Sequence, residues 1–265
     1  MMEAHAFERD GEDMTVTNSY APASPRSPRA PVAVSASAAS SVRGSGRETN
    51  EDSFLVAGPL LAVADGVGGA AAGERASRLV VDTLRRLVPE DPADPEAALA
   101  AAVEQANRAV RAAAVDGAAG MGSTVVAALI GAGGVTVANA GDSRAYLWHD
   151  DALRRLTADD SIAADLAASG KISAADARRS PLRSILLRAV GVAEELEVRP
   201  ERHHASPGDV LLLCSDGLWD GVDDETLALE LAAGQPLPEL AARLVALARA
   251  HGSHDDITIA CALIG

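Results

Sequence analysis

Three aspartates stand at the ends of apolar runs, where their carboxylates could hold a cation. Asp65 and Asp216 each end such a run and precede a glycine, whereas Asp255 stands just before the apolar run 257–264. Hard divalent cations bind carboxylate, carbonyl and water oxygens, and Gly66 has no side chain to cover its own carbonyl. If the three strands are adjacent, the sequence predicts that the three carboxylates meet at one sheet edge. The alternative interpretation is that each aspartate is an ordinary turn residue.

A carboxylate site of this kind suits chemistry at phosphorus. Two cations about 3.5–4 Å apart activate a water and stabilise an in-line displacement. An arginine fork binds two phosphate oxygens, and Arg47 in the charged cluster 47–52 is the candidate, although a surface role is the alternative. The two cysteines, Cys214 and Cys261, each lie in an apolar run. They predict buried thiols, and neither a disulfide framework nor a structural zinc site is indicated.

The segments around these residues have the patterns of strands and helices. Strand-like segments cover 32–42, 53–57, 60–65, 123–130, 135–140, 144–148, 195–199, 209–214 and 257–264. The tight turn 141–143 predicts antiparallel pairing of the strands on either side of it. Helical spacing covers 76–87, 99–110 and 237–247, with Pro95 in a first turn and Asp223 or Asp224 as the cap of a short helix. Residues 157–191 predict a helical flap over the sheet edge.

Charge and composition exclude several classes of protein. The net charge of −15 argues against a nucleic-acid or anionic-membrane surface. No run of 18 apolar residues predicts a membrane span, and the acidic N-terminus lacks the features of a secretion signal, so we expect a cytoplasmic protein. Residues 1–32 are acidic and then rich in serine and proline, which predicts a disordered tail before a single domain over 33–265.

Six short motifs occur in an order that resembles the bacterial form of the PPM (type 2C) family of metal-dependent serine/threonine protein phosphatases. They are Arg47-Glu48-Thr49-Asn50-Glu51-Asp52, Asp65-Gly66-Val67-Gly68-Gly69, Gly122-Ser123-Thr124, Gly141-Asp142-Ser143-Arg144, Ser215-Asp216-Gly217 and Asp255-Asp256-Ile257-Thr258. The resemblance runs from about residue 40 to the C-terminus. It implies an α+β fold, an αββα four-layer sandwich in which helices flank two central, mainly antiparallel sheets.

The resemblance also implies roles for matching positions. Two Mn²⁺ or Mg²⁺ ions would be held directly by Asp65, Asp216 and Asp255 and by the carbonyl of Gly66. Glu51 would hold a metal-bound water and Asp52 would support the ligands. Arg47 would bind the phosphate, so that the catalytic set is Arg47, Asp65, Asp216 and Asp255. A weaker third ion would lie at Asp142 and Asp216, with Asp220 as a possible further ligand.

Two positions depart from the pattern of the family. Some relatives have a histidine at the position of Val67, where it has been assigned as the acid for the leaving group. Valine transfers no proton, so the acid would be a metal-bound water, or the leaving group would depart less assisted. Many members have asparagine at the position of Asp256. This extra carboxylate either raises metal affinity or faces solvent, and we expect the second.

The implied function is hydrolysis of phosphoserine and phosphothreonine in proteins by direct attack of a metal-activated water. The absence of a nucleophilic cysteine motif from the sequence fits direct attack by water. The expected partners are phosphorylated proteins, including a serine/threonine kinase whose signalling the enzyme would oppose, and the expected state is a monomer. Two alternatives remain at this point. One is a non-catalytic member that binds phosphoprotein or metal, and the other is a regulatory phosphatase dedicated to a single partner.

Overall fold

The structure is a computed structural model that describes residues 32–114 and 120–265. The predicted tail therefore lies outside the described residues, except for Val32, which is buried. The strands are β1 (Val34–Val42), β2 (Asp52–Ala57), β3 (Leu60–Val67), β4 (Gly122–Ser123), β5 (Val125–Gly131), β6 (Gly134–Ala140), β7 (Arg144–His149), β8 (Ala152–Arg155), β9 (Glu201–His203), β10 (Val210–Cys214) and β11 (Ile257–Ile264). The helices are α1 (Ala70–Leu87), α2 (Pro95–Ala113), α3 (Ile162–Ala168), α4 (Ala174–Arg179), α5 (Asp216–Gly221), α6 (Asp224–Ala232) and α7 (Leu237–Ala250).

The strands form two antiparallel sheets. Sheet 1 has the order β1-β11-β10-β7-β8. Sheet 2 has the order β2-β3-β5-β6-β9, and the short strand β4 pairs with β3. Neighbours in sequence do not always share a sheet, because β1 lies in sheet 1 and β2 in sheet 2.

Strand alternation divides the apolar residues among three cores. Successive side chains of a strand point to opposite faces of its sheet. In β3, Leu61 and Val63 join the core between the two sheets, whereas Ala62 and Ala64 join the core formed with α1 and α2. A third core lies between sheet 1 and helices α5, α6 and α7. The layers are therefore helix, sheet, sheet and helix, which confirms the predicted αββα sandwich.

The three predicted helices are present, but they are longer than the spacing predicted: α1 begins at Ala70, α2 runs to Ala113 and α7 to Ala250. The end of α1 before Pro89 and the place of Pro95 in the first turn of α2 are confirmed. Helix α1 ends at Leu87, and α2 begins at Pro95 with the Asp94 side chain accepting a hydrogen bond of 2.9 Å from the backbone N–H of Ala97. Asp223 caps α6 in the same way through the backbone N–H of Thr226 at 2.8 Å. These side chains satisfy N–H groups that a first helical turn leaves unpaired.

Two expectations about strands are wrong. The turn 141–143 does not join paired neighbours: it carries the chain from β6 in sheet 2 to β7 in sheet 1. Gly141 makes this crossing with a φ of +107°, a conformation that favours glycine, so a sheet-changing turn has the sequence of a hairpin. Residues 195–199 form no strand either. Leu196 and Val198 alternate as a strand would, but they pack on the helix-covered face of sheet 2 without ladder partners among the described residues.

The predicted flap, residues 157–191, contains α3, α4 and a short 3-10 helix at Pro181–Ser184. Both of its ends are hydrogen-bonded to segments that carry the motifs 141–144 and 122–124. The backbone N–H of Asp160 donates to the carbonyl of Gly141 at 3.0 Å, and Val190 exchanges backbone hydrogen bonds of 2.8 and 2.9 Å with Ser123. The flap therefore begins and ends beside the candidate site. In the part of the chain that the structure describes, no helix has the length and apolarity needed to cross a membrane.

Candidate metal centre

The predicted carboxylates come from both sheets. Asp52 and Asp65 lie directly opposite each other on β2 and β3 of sheet 2. Asp216 follows β10 and Asp255 precedes β11, which places both at the same edge of sheet 1 because these strands are antiparallel neighbours. The expectation of a single sheet edge is therefore wrong. The two sheets bring their ends together, and the carboxylates meet across the gap between them.

The charges of these carboxylates act on one another and raise their pKa values. Removal from water, followed by the charges of Asp52 and Asp216, raises the pKa of Asp65 well above its ordinary value. Removal from water and the charge of Asp142 likewise raise the pKa of Asp216. Burial is also the main reason that the pKa of Asp52 rises to about 7 and that of Asp142 to about 6. Clustered carboxylates of this kind are the groups that a bound cation stabilises in their charged form.

Two oxygens of the cluster have no hydrogen-bond partner among the described residues. Among the described residues, four buried side-chain polar atoms lack a hydrogen bond, and two of them are Oδ1 of Asp52 and Oδ1 of Asp216. A buried oxygen without a partner is unfavourable unless something else satisfies it. These oxygens are hard donors of the kind that Mg²⁺ and Mn²⁺ prefer, so the donor set fits such an ion. As they stand, however, no three His, Cys, Asp or Glu side chains of the described residues are arranged so that they would hold one metal ion together.

Arg47 bridges two of the predicted site carboxylates. Its guanidinium donates to Glu51 Oε1 at 3.1 Å and to Asp255 Oδ1 at 2.5 Å. Asp255 Oδ1 also accepts from the backbone N–H of Asp256 at 2.8 Å. The side chain of Arg47 is 39% exposed, so it stands at the mouth of the cluster, where an incoming anion would meet it.

The predicted ligands of a third ion have different surroundings. Asp142 is buried, and its main-chain carbonyl accepts a hydrogen bond of 3.0 Å from the indole N–H of Trp219. Asp220 is bound instead by a flap residue: Arg183 contacts its two carboxylate oxygens at 2.7 and 2.9 Å. Asp220 is therefore part of the contact between the flap and α5.

Asp256 does not face solvent, and our expectation for it is wrong. It is 3% exposed, and its two oxygens accept hydrogen bonds from the backbone N–H groups of Gly44 and Glu51. The reason is that two backbone N–H groups of the segment 44–51 lie within hydrogen-bonding distance of the Asp256 carboxylate and satisfy it away from water.

Comparison with known proteins places this architecture in a family. A family model described as protein phosphatase 2C matches residues 45–250. This chain belongs to the protein phosphatase 2C family. It is 42% identical over 228 residues to the serine/threonine protein phosphatase PstP of Mycobacterium tuberculosis, covering 84% of this chain but only 44% of that relative. It is 36% identical over 229 residues to the serine/threonine phosphatase stp of Listeria monocytogenes, covering 82% of this chain and 91% of that relative.

Solved structures of phosphatases share the fold. The crystal structure of the Mycobacterium tuberculosis phosphatase PstP/Ppp superposes with a TM-score of 0.82 at 39% identity, covering 88% of this chain and 98% of that one. A structure of the PstP catalytic domain in complex with two manganese ions gives a TM-score of 0.80 at 38% identity, covering 88% and 99% of the two chains.

This protein phosphatase 2C chain supports its carboxylates with hydroxyl groups that sequence reasoning left without a role. The backbone N–H of Asp65 donates to Thr124 Oγ1 at 2.9 Å. The hydroxyl of Ser215 donates to Asp52 Oδ2 at 2.7 Å and accepts from the backbone N–H of Thr258 at 3.0 Å. Both hydroxyl residues, Thr124 and Ser215, belong to the quoted motifs, and Ser215 directly precedes Asp216. Their place in these motifs was the available signal.

The packing around residue 66 also requires a glycine, apart from any role of its carbonyl. A Cβ atom at this position would lie 2.0 Å from the carbonyl oxygen of Gly73 in α1 and 2.8 Å from that of Glu51. The backbone N–H of Gly66 donates to the same Glu51 carbonyl at 3.1 Å. In this member of the protein phosphatase 2C family, the glycine lets β3, α1 and the Glu51 segment approach closely enough to frame the site.

Proposed function

We propose that this chain is a metal-dependent protein serine/threonine phosphatase that hydrolyses phosphoserine and phosphothreonine in proteins. The observation that carries the proposal is the group of crowded carboxylates with unpartnered oxygens beside the guanidinium of Arg47. The printed names of the relatives and the two manganese ions of the PstP structure support the same function. Residues 33–265 would form the catalytic domain.

In this proposal the predicted ligands hold two divalent cations, Mn²⁺ or Mg²⁺. Asp65, Asp216, Asp255 and the Gly66 carbonyl are the direct ligands, with Glu51 and Asp52 behind them. The bound cations supply a water of lowered pKa and Lewis acidity toward the phosphate oxygens. A weaker third ion would bind at Asp142 and Asp216. Asp220 would become a further ligand only after Arg183 moves away from its carboxylate.

The chain's own residues bind and orient the phosphoryl group. The Arg47 guanidinium offers a planar fork that matches two phosphate oxygens. Its present partners, Glu51 and Asp255, fix the direction from which it reaches the cluster. Val67 is half-buried and has no proton to give, so it cannot assist the leaving group as an acid. We propose phosphoproteins as substrates, opposition to a serine/threonine kinase as the role, and a monomer as the active form.

The test is hydrolysis of a phosphothreonine peptide with Mn²⁺ and with excess chelator. We expect turnover only with metal. Asp216→Asn should abolish turnover while far-UV circular dichroism stays unchanged, because a ligand is lost and the shape is kept. Arg47→Ala should raise KM while the Mn²⁺ affinity measured by calorimetry is retained.

The exposed Asp91, on the loop before α2, provides a matched control. Asp91→Asn should leave turnover and metal affinity at wild-type values. A folded wild-type protein without metal-dependent turnover would refute the proposed activity. Loss of Mn²⁺ affinity in Arg47→Ala would refute the role given to Arg47.

A further inference from the structure

One buried carboxylate closes the loop that carries Arg47. Asp256 Oδ1 accepts a hydrogen bond of 2.7 Å from the backbone N–H of Gly44, and Oδ2 accepts one of 2.8 Å from the backbone N–H of Glu51. These donors are the two ends of the segment 44–51, and Arg47 lies between them. Asp256 is 3% exposed, so water does not compete for these bonds.

The chemistry of this position suits its two partners. Both partners are N–H donors, and a carboxylate accepts at both oxygens. A side chain without an acceptor would leave both N–H groups buried and unpaired. The aspartate therefore matches its two donors, whereas an alanine would pair with neither.

Other contacts hold the same segment against residues 254–256. A Cβ atom on Gly44 would lie 2.3 Å from the backbone carbonyl oxygen of His254, so the two backbones are in direct contact there. The Ser45 hydroxyl lies 2.7 Å from His254 Nδ1. The Arg47 side chain itself is exposed and touches two carboxylates at its tip. Its direction therefore depends on the backbone from which it extends, and Asp256 anchors that backbone at both ends.

We propose that Asp256 is a positioning residue for Arg47: it sets the backbone of the 44–51 loop so that the guanidinium faces an incoming phosphoryl group. This inference rests on the proposed function, in which Arg47 binds phosphate. Asp256 acts through the loop and contacts neither substrate nor the reacting atoms.

The experiment compares Asp256→Ala with the wild type in Mn²⁺-dependent hydrolysis of a phosphothreonine peptide. We expect KM to rise about tenfold, with kcat changed less than threefold, because loss of both hydrogen bonds misplaces the binding group. Asp209→Ala is the matched control, since Asp209 is 5% exposed and accepts from the backbone N–H of Ser206 at 2.7 Å on a remote turn. It should leave KM unchanged even where its unfolding midpoint falls.

A double-mutant cycle separates positioning from general destabilisation. In an Arg47→Ala background, Asp256→Ala should raise KM no further, because the residue through which it acts is gone. An equal rise in both backgrounds would overturn the proposal, as would a wild-type KM in a folded Asp256→Ala protein.

Calorimetric titration of the Mn²⁺-loaded proteins with inorganic phosphate provides a readout that does not need turnover. The same pattern is expected: weaker binding in Asp256→Ala and no further weakening beyond Arg47→Ala. An inert wild type that still binds phosphate would refute the proposed activity, and these affinities would then decide the role of Asp256. A wild type that neither turns over nor binds phosphate would overturn both.

Discussion

Removal of Arg144 should destabilise the protein more than removal of any exposed arginine. Its guanidinium makes a bidentate contact with Asp159 at 2.9 and 2.7 Å and lies 3.8 Å from the ring centroid of Trp219. The side chains of the pair are only 7% and 11% exposed. Arg144 belongs to β7, whereas Asp159 lies at the start of the flap, so this buried pair fastens the flap to sheet 1.

The magnitude follows from what Arg144→Ala leaves behind. Breaking a buried ion pair costs about 3–5 kcal/mol because the remaining charge is uncompensated. Arg155 lies 3.7 Å from Asp159 and is partly exposed, so it compensates some of that charge. We therefore expect a loss near the lower end, about 3 kcal/mol in the free energy of unfolding, or roughly 6–12 °C in Tm at about 2–4 °C per kcal/mol.

Urea denaturation followed by circular dichroism measures this loss. The matched control is Arg243→Ala, since Arg243 also pairs with a carboxylate, Glu230 at 3.2 Å, but is 57% exposed. That variant should lose less than about 1 kcal/mol. The double variant Arg144→Met/Asp159→Leu should recover much of the loss, because no charge stays buried. A loss below about 1 kcal/mol in Arg144→Ala would show that this buried pair does not fasten the flap to sheet 1.

Three further predictions follow from other contacts. Mn²⁺ at 100 times its Kd should raise the free energy of unfolding by about 2.7 kcal/mol, measured by denaturation with metal and with chelator, and an unchanged midpoint would contradict the candidate site. Gly66→Ala should cost about 3 kcal/mol in urea denaturation, because its Cβ would lie 2.0 Å from the Gly73 carbonyl oxygen, whereas Gly131→Ala meets nothing within 4 Å and should cost much less. The hydrogen bond that His149 donates to the Asp209 carboxylate raises the pKa of His149. The stability that this pair contributes is therefore full below the ordinary histidine pKa of 6.5 and is lost as pH rises through the raised value. NMR titration should show Asp209→Asn lowering that pKa, and an unchanged value would contradict the assignment.

The sequence predicts those features of the fold that depend on local pattern. Continuous apolar runs located β3, β10 and β11, and Pro95 and Asp223 located helix starts, because buried strands and helix caps are marked by nearby residues. Sheet membership is different, since it depends on contacts between distant segments. The turn at Gly141 has the same composition whether it closes a hairpin or crosses between sheets.

The candidate site was likewise predictable only where it depends on local sequence. The positions of Asp65, Asp216 and Asp255 at strand ends were visible in the sequence, and the structure confirms that they stand at the strand ends. Their meeting across two sheets was not predictable, because it follows from the packing of β3 against sheet 1. The role of Asp256 was also hidden, since its two donors, Gly44 and Glu51, are more than 200 residues away in sequence.

The placement of like charges at the ends of the most deeply buried strands has a physical reason. Crowded carboxylates repel one another and raise each other's pKa, so a mobile segment would move apart to relieve the repulsion. Strands β3, β10 and β11 cannot do so easily, because apolar cores cover both of their faces. Packing in two cores thus keeps each strand in place, and with it one aspartate whose charge is unfavourable there. A cation that relieves this repulsion would bind beside strands whose positions the cores have already set, so that only the carboxylate side chains would have to turn toward it.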